Sequence, residues 1–203
     1  MPTKLVEASR RVLMQKQLLL STMERLGCYE AYATKCPVVG STIGGHVRHA
    51  LDHYDRALDG ILSKAKTSSS LSLVDYDTRL RGGDVEKDLS SAVEAILNCS
   101  ERLGSITEEM LARPMQVQFN LSGNDDSKFL FESYAARELW FAAHHSIHHQ
   151  AMIKLIIQCH DEKKTLAQAL PRDFGMAPST VLHNNTSNNA ASASASGAAS
   201  SSG

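Results

Sequence analysis

Seven of the chain's nine histidines fall in two short runs. His46-Val47-Arg48-His49-Ala50-Leu51-Asp52-His53 supplies three, and His144-His145-Ser146-Ile147-His148-His149 supplies four. Imidazole is the commonest protein ligand for transition-metal ions. Two such runs, far apart in sequence and each at helical spacing, bring several ligands to one ion if their helices meet. A buried neutral imidazole needs both a donor and an acceptor partner. Several packed together without a cation leave nitrogens unsatisfied or force a charged ring into the interior. The pattern therefore points to metal binding.

Which histidines face inward follows from helical periodicity. Residues advance about 100° around a helix axis. Measured from His144, His145 falls near about 100° and His149 near about 140°, in the sector of Phe141, Met152 and Ile156. Ser146, Gln150, Lys154 and Gln158 occupy the opposite, polar side. His148 lies at the edge of the apolar sector and His144 outside it. His145 and His149 are thus an inward pair at i and i+4, stacked on one face. The same spacing lets a His-x-x-x-His turn grip zinc. The first run does not choose a third ligand. His46, His49 and His53 form one stripe, and the apolar side (Ile43, Val47, Leu51, Tyr54, Leu58, Ile61) lies nearest His46 and furthest from His49.

These residues have to be held by helices, and the chain supplies four long candidates. Apolar residues recur at helical spacing from Leu5 to Leu26, with Gly27 as a stop. A connector marked by Cys36-Pro37 and Gly40 precedes Ser41 or Thr42, either able to cap a second helix to about Lys64. Lys66 to Leu73 reads as a Ser-rich loop, and Asp75 to Gly83 as a polar stretch broken by Gly82-Gly83. Asp84 is the expected cap of a third helix that runs to Leu103 and stops at Gly104. Met115, Val117 and Phe119 alternate with Gln116 and Gln118. With Asn124-Asp125 as a turn and Phe129-Leu130-Phe131 as partner, they predict a hairpin. Ser133 is the expected start of a fourth helix that ends near His160. Beyond Asn184 the chain is almost wholly Ala, Ser, Asn and Gly, too poor in apolar surface to offset its ordering entropy. The expectation is an all-α four-helix bundle with antiparallel neighbours. A small β-hairpin precedes its last long helix. The domain is expected to span residues 1–183, followed by a disordered tail over 184–203.

Composition narrows the function classes. With 203 residues, 42% of them apolar, the chain has enough material for one cored domain. Lys and Arg total 21 against 22 Asp and Glu, with no basic stripe, which argues against nucleic-acid binding. No apolar run is long enough for a membrane span. Gln15, Lys16 and Gln17 interrupt the apolar run near the start, so no signal peptide is expected. Cys28, Cys36, Cys99 and Cys159 form no Cys-x-x-Cys pair and read as reduced thiols of a cytoplasmic protein.

Two motifs taken together resemble the DinB/YfiT-like (DinB family) superfamily of metal-dependent four-helix bundles. They are Thr42-Ile43-Gly44-Gly45-His46-Val47-Arg48-His49 with Asp52, and His145-Ser146-Ile147-His148-His149. Within the superfamily the chain is similar to a subgroup sharing Asp75-Tyr76-Asp77-x-Arg79-x-Arg81, Arg137-Glu138-Leu139 and Phe174-Gly175-Met176-Ala177-Pro178-Ser179-Thr180. The resemblance covers residues 5–183. It implies a three-histidine open site of His49, His145 and His149 holding one divalent transition metal, zinc or nickel, with iron also compatible. Because periodicity favours His46 over His49, His46 and His53 stay as rival ligands.

His46, His53, His148, Asp52 and Glu138 are candidates to hold the ligands' second nitrogens, as partners of metal-bound imidazoles do. Glu138, two turns before His145, is also a candidate general base or fourth ligand. Equally, it is a carboxylate that favours the helix dipole. Tyr76, Arg79 and Arg81 are candidates to bind an anionic substrate, or else form a solvated loop. Phe174 to Thr180 reads as a lid or a C-terminal strap. Members of the superfamily with known chemistry include thiol-dependent S-transferases and an isomerase. The implied activity is therefore a metal-dependent transferase acting with a low-molecular-weight thiol on a small molecule, with a homodimer as the expected assembly. The alternative is a non-catalytic metal-binding or structural, stress-response bundle.

Overall fold

Thr3 opens the first helix by accepting a hydrogen bond from the Val6 amide at 3.2 Å. The computed structural model describes residues 3–63, 71–78, 83–122, 128–160 and 165–187. Helix α1 spans Lys4–Leu26 and ends at Gly27, whose φ of +67° closes the last turn. A single turn of helix, α2 (Tyr29–Ala33), sits in the connector where no element was expected. Helix α3 spans Ile43–Leu62 and is capped by Thr42, whose hydroxyl accepts from Gly45 at 2.8 Å. The expected end at Lys64 lies outside the described residues.

The third long helix begins later than its sequence signal. Asp84 opens only a short 3-10 turn, Asp84–Glu86. The cap of α4 (Leu89–Gly104) is Asp88, which accepts from the Ser91 amide at 2.6 Å. Two Asp residues four apart each carry a capping signal, and the 3-10 turn takes the first. That turn lies across the start of α3. A Cβ on Gly44 would stand 2.1 Å from the Glu86 carbonyl oxygen, so only glycine fits there. Arg48 ties the same place together, pairing with Glu86 at 3.0 Å and Asp52 at 2.8 Å.

Helix α5 (Glu108–Leu111) leads into a three-stranded sheet. Strands β2 (Pro114–Phe119) and β3 (Phe129–Tyr134) form the expected antiparallel hairpin. The expected turn at Asn124-Asp125 lies outside the described residues. A strand the sequence did not reveal, β1 (Ser72–Asp75), runs parallel to β2 in the order β1-β2-β3. Its Ser72 and Leu73 fall in the expected Ser-rich loop and its Asp75 in the polar stretch, because four residues with a single buried side chain, Val74, are too few to show alternation. Ser133 belongs to β3, and the last long helix, α6, spans Ala135–His160. Helix α7 (Thr165–Ala169) and a helix over 178–187, α8, complete the described chain. Helical structure thus extends past the expected domain limit at residue 183, and residues 188–203 of the expected tail lie outside the described residues. Among the described residues no helix is long and apolar enough to cross a membrane.

The chain is mostly helical with a small sheet, and α6 is its centre. It packs along α3 on one side and α1 on another. Ser146 and Gln150, placed by periodicity on a polar side away from the apolar sector, are fully buried. The reason is the polar surface α1 offers them. The Lys16 ammonium, itself fully buried, donates to the Ser146 hydroxyl and to its carbonyl, the latter at 3.4 Å. The Gln150 amide donates to the Val12 carbonyl at 2.8 Å. The segment after α7 closes over the same helix. Phe174 is buried, and Gly175 (φ +71°) comes so close that a Cβ would stand 2.9 Å from the Gln150 and Ala151 backbone. Lys154 donates to the Phe174 carbonyl at 3.2 Å. This segment is therefore a strap packed on α6.

Burial pushes the Lys16 ammonium down to about 7. The unfolded chain holds that proton up to about pH 10.4, so the unfolded state binds more protons once pH exceeds about 7, and stability rises with pH. Urea denaturation at about pH 7 and about pH 8.5 should show that rise. It should be much smaller in Lys16→Met.

Candidate metal centre

Antiparallel packing of α3 on α6 brings the two histidine runs face to face. His46 meets His149, His49 meets His145, and His53 lies against Phe141 and His145. One ring nitrogen each of His49, His145 and His149 lies within 4.8 Å of the other two. His145 Nε2 stands 3.2 Å from His49 Nε2 and 3.0 Å from His149 Nε2. Ligand nitrogens at about 2.0–2.1 Å from one tetrahedral ion are about 3.3 Å apart. The donor set therefore fits a single small divalent cation. Without one, His145 Nε2 faces two other ring nitrogens and satisfies at most one of them with a proton.

His49, placed furthest from the apolar side by periodicity, is the α3 histidine in this group, and His46 and His53 are not. The apolar moment of α3 reflects its whole environment, including α4 and the sheet. The histidine stripe lies on the flank that α6 covers. His46 instead places Nδ1 2.7 Å from His149 Nδ1. With the His149 Nε2 lone pair turned to the group, its proton sits on Nδ1 and is donated to His46. His46 Nε2 is buried and has no partner among the described residues. His53 Nδ1 donates to the His49 carbonyl at 3.0 Å, which sets the His53 tautomer. His148 is exposed at the rim, its ring 5.2 Å from that of His149, and His144 is exposed and stacks on Trp140.

Burial and neighbouring imidazoles disfavour the charged forms of His149, His145 and His46. His149 is pushed down to about 2 by burial, then by His145, His49 and His46. His145 is pushed down to about 3 by burial, then by His53 and His49. His46 is lowered by burial and then by His148. Neutral imidazole is the ligand form, so the lone pairs are available at neutral pH.

The remaining sequence candidates are placed around this centre in different ways. Glu138 is fully buried at the start of α6 and lies outside the three-nitrogen group. Its carboxylate accepts from the Tyr76 hydroxyl at 2.8 Å, the Ser133 hydroxyl at 2.5 Å and Arg137 at 2.9 Å. Tyr76 therefore spends its hydroxyl on Glu138. Burial and the facing carboxylate hold its proton well above the usual range. Its ring stacks on His53 at 5.1 Å and meets Phe141 edge-on at 5.3 Å, so Tyr76 and Phe141 wall the site. Arg79 and Arg81 lie outside the described residues. Asp52 pairs with Arg48. Sequence reasoning named Tyr76 and Glu138 separately and missed that they bond each other. It also missed Lys16, a lone cation inside an apolar helical run, which was the available signal for a buried polar contact.

No protein-family model matches the chain, and no solved structure matches it. It is similar to the FK506-binding protein 5 of Rhizopus delemar, with 28% identity over 163 residues. The match covers 77% of this chain and 41% of that protein, so the chain spans less than half the length of this relative.

The lowered basicity has a consequence for stability. Free histidine in an unfolded chain titrates near about 6.5, whereas folded His145 and His149 stay neutral to about 3 and about 2. Below about pH 6.5 the unfolded state takes up protons that the folded state refuses, so the stability these rings permit is full above that pH and lost as pH falls. Denaturation of chelator-treated protein at about pH 7 and about pH 5 should show the loss. The loss should shrink in the His145→Gln/His149→Gln double variant.

Proposed function

We propose that this chain is a DinB/YfiT-like four-helix bundle of α1, α3, α4 and α6 that holds one divalent transition-metal ion on His49, His145 and His149. It serves as a metal-dependent transferase acting with a low-molecular-weight thiol on a small electrophile in the cytoplasm. The observation that carries this reading is the convergence of three imidazole nitrogens from two antiparallel helices, at separations one cation spans. Zinc and nickel suit such a donor set, and iron is compatible. The motifs shared with the superfamily support the same ligands and the same class of chemistry.

When bound, an ion with three protein ligands keeps a coordination position open and lowers the pKa of a water or thiol placed there. The chain's own residues prepare that position. His46 holds the second nitrogen of His149 and so orients its ring. His53 is fixed by the His49 carbonyl and fills the space beside His145. Tyr76 and Phe141 exclude water from one side, while exposed His148 marks the side open to a small molecule. A second reading, metal binding without turnover, is favoured by Glu138. Its carboxylate already serves three donors and is not free to take a proton from a substrate.

Elemental analysis of protein purified without a metal-affinity tag should find one ion per chain. His49→Ala and His145→Ala should each abolish most of it, and retention of the metal in both would overturn the ligand set. His46→Ala should keep the site but weaken affinity by about 10–100-fold, as loss of an outer partner does.

The transferase reading predicts metal-dependent consumption of free thiol with an electrophilic test substrate. It predicts loss of that consumption in His145→Ala. Silence across a thiol and electrophile panel, with metal retained and the melting temperature metal-dependent, would select the non-catalytic reading.

A further inference from the structure

The hairpin ends in a strand with an open margin. In the order β1-β2-β3, no strand pairs with the far side of β3 among the described residues. The β2–β3 register fixes which of its backbone groups are turned outward. Ala135 donates its amide to the Arg113 carbonyl at 3.0 Å. Phe129 stands opposite Phe119, Phe131 opposite Val117 and Ser133 opposite Met115. In an antiparallel ladder, directly bonded pairs alternate with unbonded ones. Counted back in twos from Ala135, then, Ser133, Phe131 and Phe129 turn their amides and carbonyls to β2. Leu130, Glu132 and Tyr134 turn theirs to the open side.

Native proteins usually guard such a margin by shortening or bulging the strand, or with proline and charge. β3 has six residues in unbroken register, holds no proline and carries one charge, Glu132. Phe129, Leu130, Phe131 and Tyr134 are each about half exposed. Phe131 stacks on Phe119 at 5.5 Å and Phe129 on Phe131 at 6.4 Å, so aromatic surface continues across that face to the margin. At the opposite margin, β1 is only four residues long and ends on Asp75, which Lys128 and Gln118 hold.

We infer that β3 is the docking surface for a second copy of this chain, two β3 strands pairing antiparallel across a dyad to make one continuous sheet. The inference stands apart from the metal reading. A dyad normal to the sheet keeps every side chain on its own face, so odd-numbered residues meet odd and even meet even. Among the registers this allows, one sets Glu132 opposite Glu132, and like charges directly opposite are unfavourable. Centring the dyad on Leu130 instead sets Glu132 of each copy opposite Lys128 of the other. The same register sets Phe129 opposite Phe131 at both ends. Leu130, with its outward amide and carbonyl, then forms the central bonded pair. The phenylalanine pairs fall on unbonded positions, where side chains come closest. Lys128 is exposed and sits on the face that carries Glu132, so its ammonium can serve Asp75 and the other copy's Glu132 together. At half exposure the three aromatic side chains offer about 300 Å² per copy. With Leu130 and the two charged stems, a pair approaches roughly 1,000 Å², where specific interfaces begin. The expected assembly is therefore a reversible dimer.

Sedimentation velocity of the full chain over a concentration series should show the mass rising from one chain to two. Leu130→Pro removes an amide that β2 does not use, and a margin strand tolerates proline at such a position. That variant should stay a single chain throughout, with the circular dichroism of wild type. Glu132→Lys should weaken the dimer several-fold, and adding Lys128→Glu to it should restore the dimer. If Leu130→Pro does not fold, the charge exchange decides. A wild type that remains one chain, a dimer that survives Leu130→Pro, no rescue by the exchanged charges, or a ladder of larger species would each overturn the inference.

Discussion

The site depends on one contact, the antiparallel packing of α3 against α6 through faces that carry imidazoles where most helix pairs carry aliphatic side chains. That packing brings five histidine rings together, with neighbouring centroids 4.0 to 5.2 Å apart, and forces a choice on their nitrogens. Charging them inside the bundle is disfavoured by burial and by one another, as the strong lowering at His145 and His149 records. Leaving them neutral places lone pairs and N–H groups in competition for too few partners. Two rings find a local partner for Nδ1, His53 on the His49 carbonyl and His46 on His149. The three nitrogens left facing one point are those a cation would satisfy.

Such an arrangement needs a rigid frame, and α6 supplies it by being buried on more than one side. Towards α1 it is held by polar contacts, Ser146 to Lys16 and Gln150 to Val12. At its N-terminal end, Glu138 gathers donors from Tyr76, Ser133 and Arg137, joining the end of β1, β3 and the helix at one carboxylate. Leaving such a buried acceptor without donors would cost about 1–3 kcal/mol or more, so the group acts as a brace for the helix that bears two of the three nitrogens. The strap at Phe174–Gly175 closes over the middle of the same helix. Tyr76 links brace and site, with its hydroxyl on Glu138 and its ring on His53.

Much of this was legible in residue order. The long helices, a cap at Ser41 or Thr42, the stop at Gly27 and the hairpin follow from local rules that act within a few residues. The His145–His149 pair was legible for the same reason, since i and i+4 stack on any helix. The misreadings share a cause too. Asp84 and Asp88 both look like caps, and only the crowded approach of the 3-10 turn to Gly44 shows which one begins α4. Strand β1 is recognisable only from its pairing with β2. Ser146 and Gln150 look like solvent-facing residues until Lys16 and the Val12 carbonyl of α1 are placed opposite them.

The amino-acid sequence by itself determined that imidazoles would line one face of each of two helices, because side-chain direction along a helix depends only on its pitch. It did not determine which α3 histidine would join the pair on α6. His46, His49 and His53 differ by small rotations and by rises along the axis, and the apolar moment averages over every neighbour of α3. Selection of His49 was made by the height and rotation at which α3 and α6 pack, and that offset is set jointly by α1, α4, the sheet and the strap. It is a property of the assembled interior, where side chains far apart in sequence have to fill one volume, so only the tertiary structure could decide it.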